Sequence, residues 1–161
     1  MPTDEDIHWP PEFADAPVKV SNDIVIDAPP EKVWEWLIRA ERWPDWYPNS
    51  SKIRFINPPG PDLQEGTEFG WKTFDVNITS KVQEFVPEER IAWDGDGALG
   101  VRVYHAWLLQ KVEGGCHVLT EERQFGVLCR LDHWLRPKRM HDGHQVWLER
   151  LREKARGGLP V

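Results

Sequence analysis

The stretch Ile24–Pro48, IVIDAPPEKVWEWLIRAERWPDWYP, decides the fold. It begins as an alternating apolar strand, passes through Asp27-Ala28-Pro29-Pro30 and becomes a short amphipathic helix. Proline suits the first helical turn, whose N–H groups have no intrahelical partner. Glu31, just behind it, suits the positive end of the helix dipole. From Pro30 onward Val33, Trp34, Leu37 and Ile38 recur at helical spacing and form one apolar face. A second turn, Trp43-Pro44-Asp45-Trp46-Tyr47-Pro48, follows at once. The chain therefore opens as strand, helix and helical turn before it makes a run of strands.

Upstream of this stretch, residues 1–17 show no core periodicity and read as an N-terminal arm, with Pro10-Pro11 keeping it extended. Trp9 and Phe13 in the arm are placed to dock on the domain, and Trp9 to cover the mouth of a pocket. The first strand is expected near Val18–Asp27. Downstream, Lys52–Asn57 reads as a short strand ended by Pro58-Pro59-Gly60-Pro61. Further strands are expected at Gly66–Phe74, Val76–Val86, Ile91–Asp94 and Val101–Val112. A Gly114-Gly115 hairpin turn leads to another at Cys116–Gly126. Helical pattern then runs from about Leu131 to Arg156 with an interruption at Pro137, and Gly157-Gly158 ends it. Seven hairpin-joined strands make an antiparallel sheet with one buried face, which the long terminal helix covers. On that helix Met140, Trp147, Leu148, Leu151 and Ala155 share one stripe, with His144 in its middle.

A chain of 161 residues is expected to build one domain, residues 18–161, after the arm. Ten tryptophans imply a heavily aromatic core or a cavity walled by indoles. The formal charge of -7 argues against a nucleic-acid partner. No apolar run approaches the roughly 20 residues of a membrane span. Residues 130–156 are locally basic, as a solvated helix face is. The acidic, proline-rich N-terminus does not look like a leader, and Cys116 and Cys129 lack any CxxC spacing. Two free thiols in a cytoplasmic protein are the expectation.

Strand alternation sorts the candidate site residues by face. With Glu68 and Lys72 in water, Phe69, Trp71 and Thr73 point inward. With Arg102 outward, Val103, His105, Trp107 and Leu109 point inward; with His117, Glu121 and Arg123 outward, so do Val118, Thr120 and Glu122. The interior thus gains three polar groups, His105, Glu122 and His144, among Trp71, Trp107, Trp147 and Trp93. Hairpin pairing makes His105 and Glu122 cross-strand neighbours. A His–Glu pair in an apolar cavity serves as a structural hydrogen-bonded pair, orients a ligand, or transfers protons near neutral pH. His133, His141 and His144 can be drawn as a helical cluster, but His141 is expected to face solvent, so neither a metal nor another cofactor is predicted. No GxSxG, P-loop or GxGxxG motif is present. Trp36, Trp43 and Trp46 read as packing residues around the first helices.

The order of elements resembles the α+β helix-grip fold of the START-domain and plant-allergen (SRPBCC) superfamily, and within it the polyketide cyclase/dehydrase-like branch. The resemblance rests on APPEKVWEWL and WPDWYP, on EGTEFGW (65–71), on VYHAWLL (103–109) and on TEERQFG (120–126), and it spans about residues 20–156. It implies a seven-stranded curved antiparallel sheet around a long C-terminal helix, with a tendency to enclose a pocket. The implied function is lipid-binding-like capture of a small hydrophobic molecule, aromatic or polycyclic. The residues expected to hold it are Phe69, Trp71, Trp93, His105, Trp107, Glu122, Met140, His144 and Trp147. The alternatives are a cyclase or dehydratase using His105 and Glu122, and a surface interaction or cochaperone-like module. A solid, indole-filled interior would favour the last.

Overall fold

Alternating side chains become a sheet wherever one face is buried, and here seven such segments form. The computed structural model describes residues 1–161. The strands are β1 (Val18–Ile26), β2 (Ser50–Asn57), β3 (Glu68–Thr73), β4 (Val76–Val86), β5 (Arg90–Asp96), β6 (Arg102–Val112) and β7 (Gly115–Phe125). They make one antiparallel sheet in the order β1-β7-β6-β5-β4-β3-β2. Successive strands are hairpin neighbours except β1, which pairs with β7. The segment that departs from this pattern is the opening stretch. Its helices α1 (Pro30–Ile38) and α2 (Trp43–Trp46) carry the chain from one edge of the sheet to the other. The fold is a helix grip: the curved sheet closes around the C-terminal helix α4 (Arg139–Arg156), whose His144, Trp147, Leu148, Leu151 and Ala155 are buried.

The C-terminal helical segment begins earlier than its sequence pattern suggests and is two helices. α3 (Val127–Leu135) starts directly after Gly126, whose φ of 120° turns the chain out of β7. Pro137 then separates α3 from α4, because the residue before a proline is driven out of the helical region. Arg136 accordingly sits at φ -135°, ψ 67°. His133 belongs to α3 and is outside the α4 stripe.

The outer face of the sheet is not the wet face that alternation implies. Ile7, Phe13 and Ala16 of the arm pack there with Ala92, Tyr104, Ala106, Leu108 and Leu119 as a second apolar cluster. Trp9 meets Tyr104 edge-on at 5.7 Å, and the Arg123 guanidinium lies 4.0 Å from the Trp9 ring centre. Arg123 also donates to the carbonyls of Phe13 and Ala14 and pairs with Glu121 at 3.0 Å. Glu121, expected outside in water, is buried beside Arg123; His117, also expected outside, is buried as well and pairs with Asp23 of β1 at 2.8 Å. Trp9 covers sheet, not a pocket mouth. The arm carries no periodic signal because its docking residues Ile7, Trp9, Phe13 and Ala16 are irregularly spaced, and only Phe13 lies in a helical turn, Pro11–Phe13.

Candidate functional site

The sheet's inner face is filled in one half and hollow in the other. The filled half is aromatic. Trp43, from the WPDWYP turn, enters the interior completely, 5.3 Å from Trp71, 5.5 Å from Trp93 and 5.2 Å from Trp147 between ring centres. Its indole N–H donates to the Leu37 carbonyl at 2.9 Å, which anchors the plug to the end of α1. Tyr47 stacks on Trp147 at 4.2 Å, and Trp107 meets Trp147 at 4.9 Å. Apart from the stacked Tyr47–Trp147 pair, these are the tilted and edge-on contacts that aromatic quadrupoles favour.

Toward the α3 end, bulk gives way to small and polar residues. The inward row of β5 runs Ile91, Trp93, Gly95. At Gly95 a Cβ would come 2.6 Å from Ile78 and 2.7 Å from Val103, so only glycine lets those two side chains close over the strand. On β7 the inward row continues Thr120, Glu122, Gln124. The result is a cavity of about 320 Å³. Trp71, Phe74, Ile78 and Val103 supply its apolar sheet side, Glu122 and Gln124 its polar base, and Leu128, Leu131 and Leu135 of α3 its cover, with Met140 from α4. Gly143 of α4 lets the Phe74 ring approach: a Cβ there would sit 2.4 Å from the ring. At the rim Arg139 bridges Asp75 and Asp132, both at 3.2 Å.

Behind the polar base lies a buried cluster. The β6–β7 register sets His105 directly opposite Glu122. His105 Nδ1 lies 3.5 Å from Glu122 Oε1, and His144 Nε2 lies 3.9 Å from Oε2. Gln124 donates to Oε2 at 2.5 Å. The Thr120 hydroxyl has one hydrogen and gives it to the Ala106 carbonyl at 3.1 Å. Its oxygen, 2.7 Å from His105 Nε2, therefore accepts from that nitrogen. In this arrangement His105 carries its proton on Nε2, and its Nδ1 faces Glu122. Burial sets the charges. Desolvation pushes the Glu122 carboxyl up to about 7 against the opposing hydrogen bond from Gln124. Desolvation also holds His144 down to about 3, with His141 adding to the effect, and keeps His105 well below its usual range, with His144 adding to it.

Of the residues expected at the site, Trp71, Glu122 and Met140 border the cavity. Phe69, Trp93, Trp107 and Trp147 lie in the aromatic packing around Trp43. His105 and His144 stand behind Glu122 with their rings 4.7 Å apart. Gln124, Phe74, Ile78 and the α3 leucines also border the cavity and lie outside the expected set, whereas Val103 was expected to point inward and does. Gln124 is the next inward step after Glu122, and Leu128, Leu131 and Leu135 recur at helical spacing, so both signals were available. Phe74 had none, since its position depends on a left-handed turn (φ 46°) after β3.

A curved antiparallel sheet gripping a C-terminal helix, with a cavity where they diverge, defines the class of helix-grip proteins. Within it, the chain belongs to the polyketide cyclase/dehydrase and lipid transport family, whose model matches residues 17–156. The crystal structure of hypothetical protein jhp0584 from Helicobacter pylori shares 31% identity over 96% of this chain and 99% of its own, with a TM-score of 0.86. TTHA0849 from Thermus thermophilus is similar in fold, at 18% identity, 87% and 98% coverage and a TM-score of 0.72. So is StfQ, a di-domain ARO/CYC protein, at 13% identity over 91% of this chain and 53% of StfQ, with a TM-score of 0.72. No functionally curated protein matches the chain.

Proposed function

We propose that this protein binds a small hydrophobic compound, aromatic or polycyclic, in the cavity between β3–β7 and α3, with Glu122 and Gln124 as its polar anchor. One observation carries the reading: an apolar cavity of about 320 Å³ whose base presents a single buried carboxylate–amide pair. Ligand sites are concave, mostly apolar and oriented by a few polar groups, at volumes of roughly 300–1,000 Å³. Membership of a family described by polyketide cyclases, dehydrases and lipid transport supports a hydrophobic ligand. Filling the cavity tests it. Ile78→Trp should abolish saturable binding of an anthraquinone-type probe that quenches wild-type tryptophan fluorescence, while the fold is retained by circular dichroism. Unchanged affinity in that variant, or no saturable binding across an aromatic and lipid panel, overturns it.

A second reading, a cyclase- or dehydratase-type enzyme, is favoured by Glu122, the one buried carboxylate that borders the cavity and faces His105. StfQ, described as an ARO/CYC of the steffimycin biosynthetic pathway, supports that class by its description. Glu122→Gln then keeps ligand affinity and loses turnover, whereas a pure anchor loses affinity. A surface interaction module is the weaker reading, because the interior is solid with indoles in one half only.

A further inference from the structure

We propose that His105, Glu122 and His144 form a binding site for one divalent transition-metal cation of the zinc class. One donor atom from each residue lies within 4.8 Å of the other two. Bonds of about 2.1 Å to a common ion require donor pairs no more than about 4.2 Å apart. Each imidazole already has one oxygen of the Glu122 carboxylate within that range, His105 Nδ1 at 3.5 Å from Oε1 and His144 Nε2 at 3.9 Å from Oε2. The widest pair needs a closure of at most about 0.6 Å.

Three further features distinguish the cluster from a set of packed polar residues. The first is the orienting shell. Ligating histidines characteristically give their other N–H to an oxygen partner, which fixes ring and tautomer. His105 does this toward Thr120, itself held by the Ala106 carbonyl, so the nitrogen left over is a lone pair aimed at the cluster. The second is the orphaned polarity. His105 is 1% exposed, and its Nδ1, the nitrogen that faces Glu122, has no hydrogen-bond partner. A buried polar atom left without a partner calls for an explanation, and an ion at that nitrogen supplies one. The third is charge. The groups that face the Glu122 carboxylate are His105, His144 and the neutral Gln124, and no lysine or arginine pairs with it. A divalent ion supplies the missing positive charge.

Two imidazoles and one carboxylate suit zinc or another borderline first-row ion better than calcium or magnesium, which prefer all-oxygen sets. Glu122 is the one member of the cluster that borders the cavity, so an ion held there would lie next to the cavity wall. Occupation does not depend on the hydrophobic ligand, so metal titration reads this site separately from the cavity.

The experiment is titration of chelator-stripped full-length protein with Co²⁺ and Zn²⁺, followed by visible absorption and calorimetry. The expected result is one ion per chain. Glu122→Gln and His144→Gln should each weaken binding by at least about 100-fold, and Thr120→Val by about 10–100-fold. A His133→Gln/His141→Gln control on the helix surface should bind as wild type. Long-range ¹H–¹⁵N spectra of the wild-type histidines keep the test decisive if a core variant fails to fold. On adding Zn²⁺, His105 Nδ1 and His144 Nε2 should shift toward metal-bound values. No stoichiometric binding, binding lost in the surface control, or unshifted His105 and His144 nitrogens overturns the proposal.

Discussion

The two halves of the interior solve one problem, the inner face of a curved sheet, in opposite ways. Trp43, four further indoles and a tyrosine fill the space to contact, and two of the rings are held by the Trp43–Leu37 and Trp71–Ser80 hydrogen bonds. Under α3 the same strands carry Gly95, Thr73, Gln124 and Glu122, and a helix with its apolar residues partly in water lies across the opening. Bulk stabilises; its absence leaves a cavity. The difference teaches that aromatic content alone does not locate a ligand: the tryptophans are mostly the scaffold, and the cavity lies where they stop.

The largest expected effect is on the filled half. Trp43→Ala removes the plug and should cost about 3–5 kcal/mol, enough to threaten folding, as read by urea denaturation. By contrast Leu131→Ala, on a residue 47% exposed over the hollow half, should cost less than about 1 kcal/mol while weakening binding of an aromatic probe. Equal losses at the two positions would break the distinction between scaffold and site.

Gly143→Ala is intermediate. The new methyl group meets the Phe74 ring, so Phe74 must swing into the cavity. Overpacking of about 1–3 kcal/mol is partly offset by the roughly 1 kcal/mol that alanine gains over glycine in a helix. Stability should therefore fall by about 0–2 kcal/mol, less than for Trp43→Ala, and probe affinity should fall, measured by the denaturation midpoint against a binding isotherm.

The smallest effect concerns the thiol at the cavity edge. Burial, assisted by Glu122 and Asp132, pushes Cys129 up to about 11. The thiolate is the reactive form, so below that value alkylation should quicken about tenfold per pH unit, continuing past the range near 8.5 where an ordinary thiol levels off. A cavity ligand should protect Cys129 and leave the rate at Cys116, sealed in the core, unaltered. Mass spectrometry of alkylated peptides at two pH values, with and without probe, checks both statements.

Much of the scaffold was legible in the sequence. Gly114-Gly115 fixes the β6–β7 register, and alternation then brings His105 and Glu122 together without any tertiary information. The α4 stripe was equally readable from its 3.6-residue period. The seven-strand helix grip follows from these elements with the helical insertion after β1. What escaped depends on placement rather than pattern. WPDWYP has no periodicity to reveal that Trp43 turns inward and occupies the space expected to be the cavity. The arm's contacts are irregular, so the outer face reads as wet when it is covered. α3 begins four residues before the expected helix, and with that turn the cover of the cavity was missed. The convergence of His144 on the β6–β7 pair was readable; its closeness as a third donor needed the helix to be docked.

The central claim, a ligand cavity at the hollow half, is tested most directly by methyl-resolved NMR of the full-length protein titrated with an apolar aromatic probe. Saturable shifts should appear at Ile78, Val103, Leu128 and Leu131. The methyls of Leu108 and Leu119, under the arm on the opposite face, should stay fixed. Shifts confined to the arm-covered face, or none at any of the four cavity residues, would contradict the account.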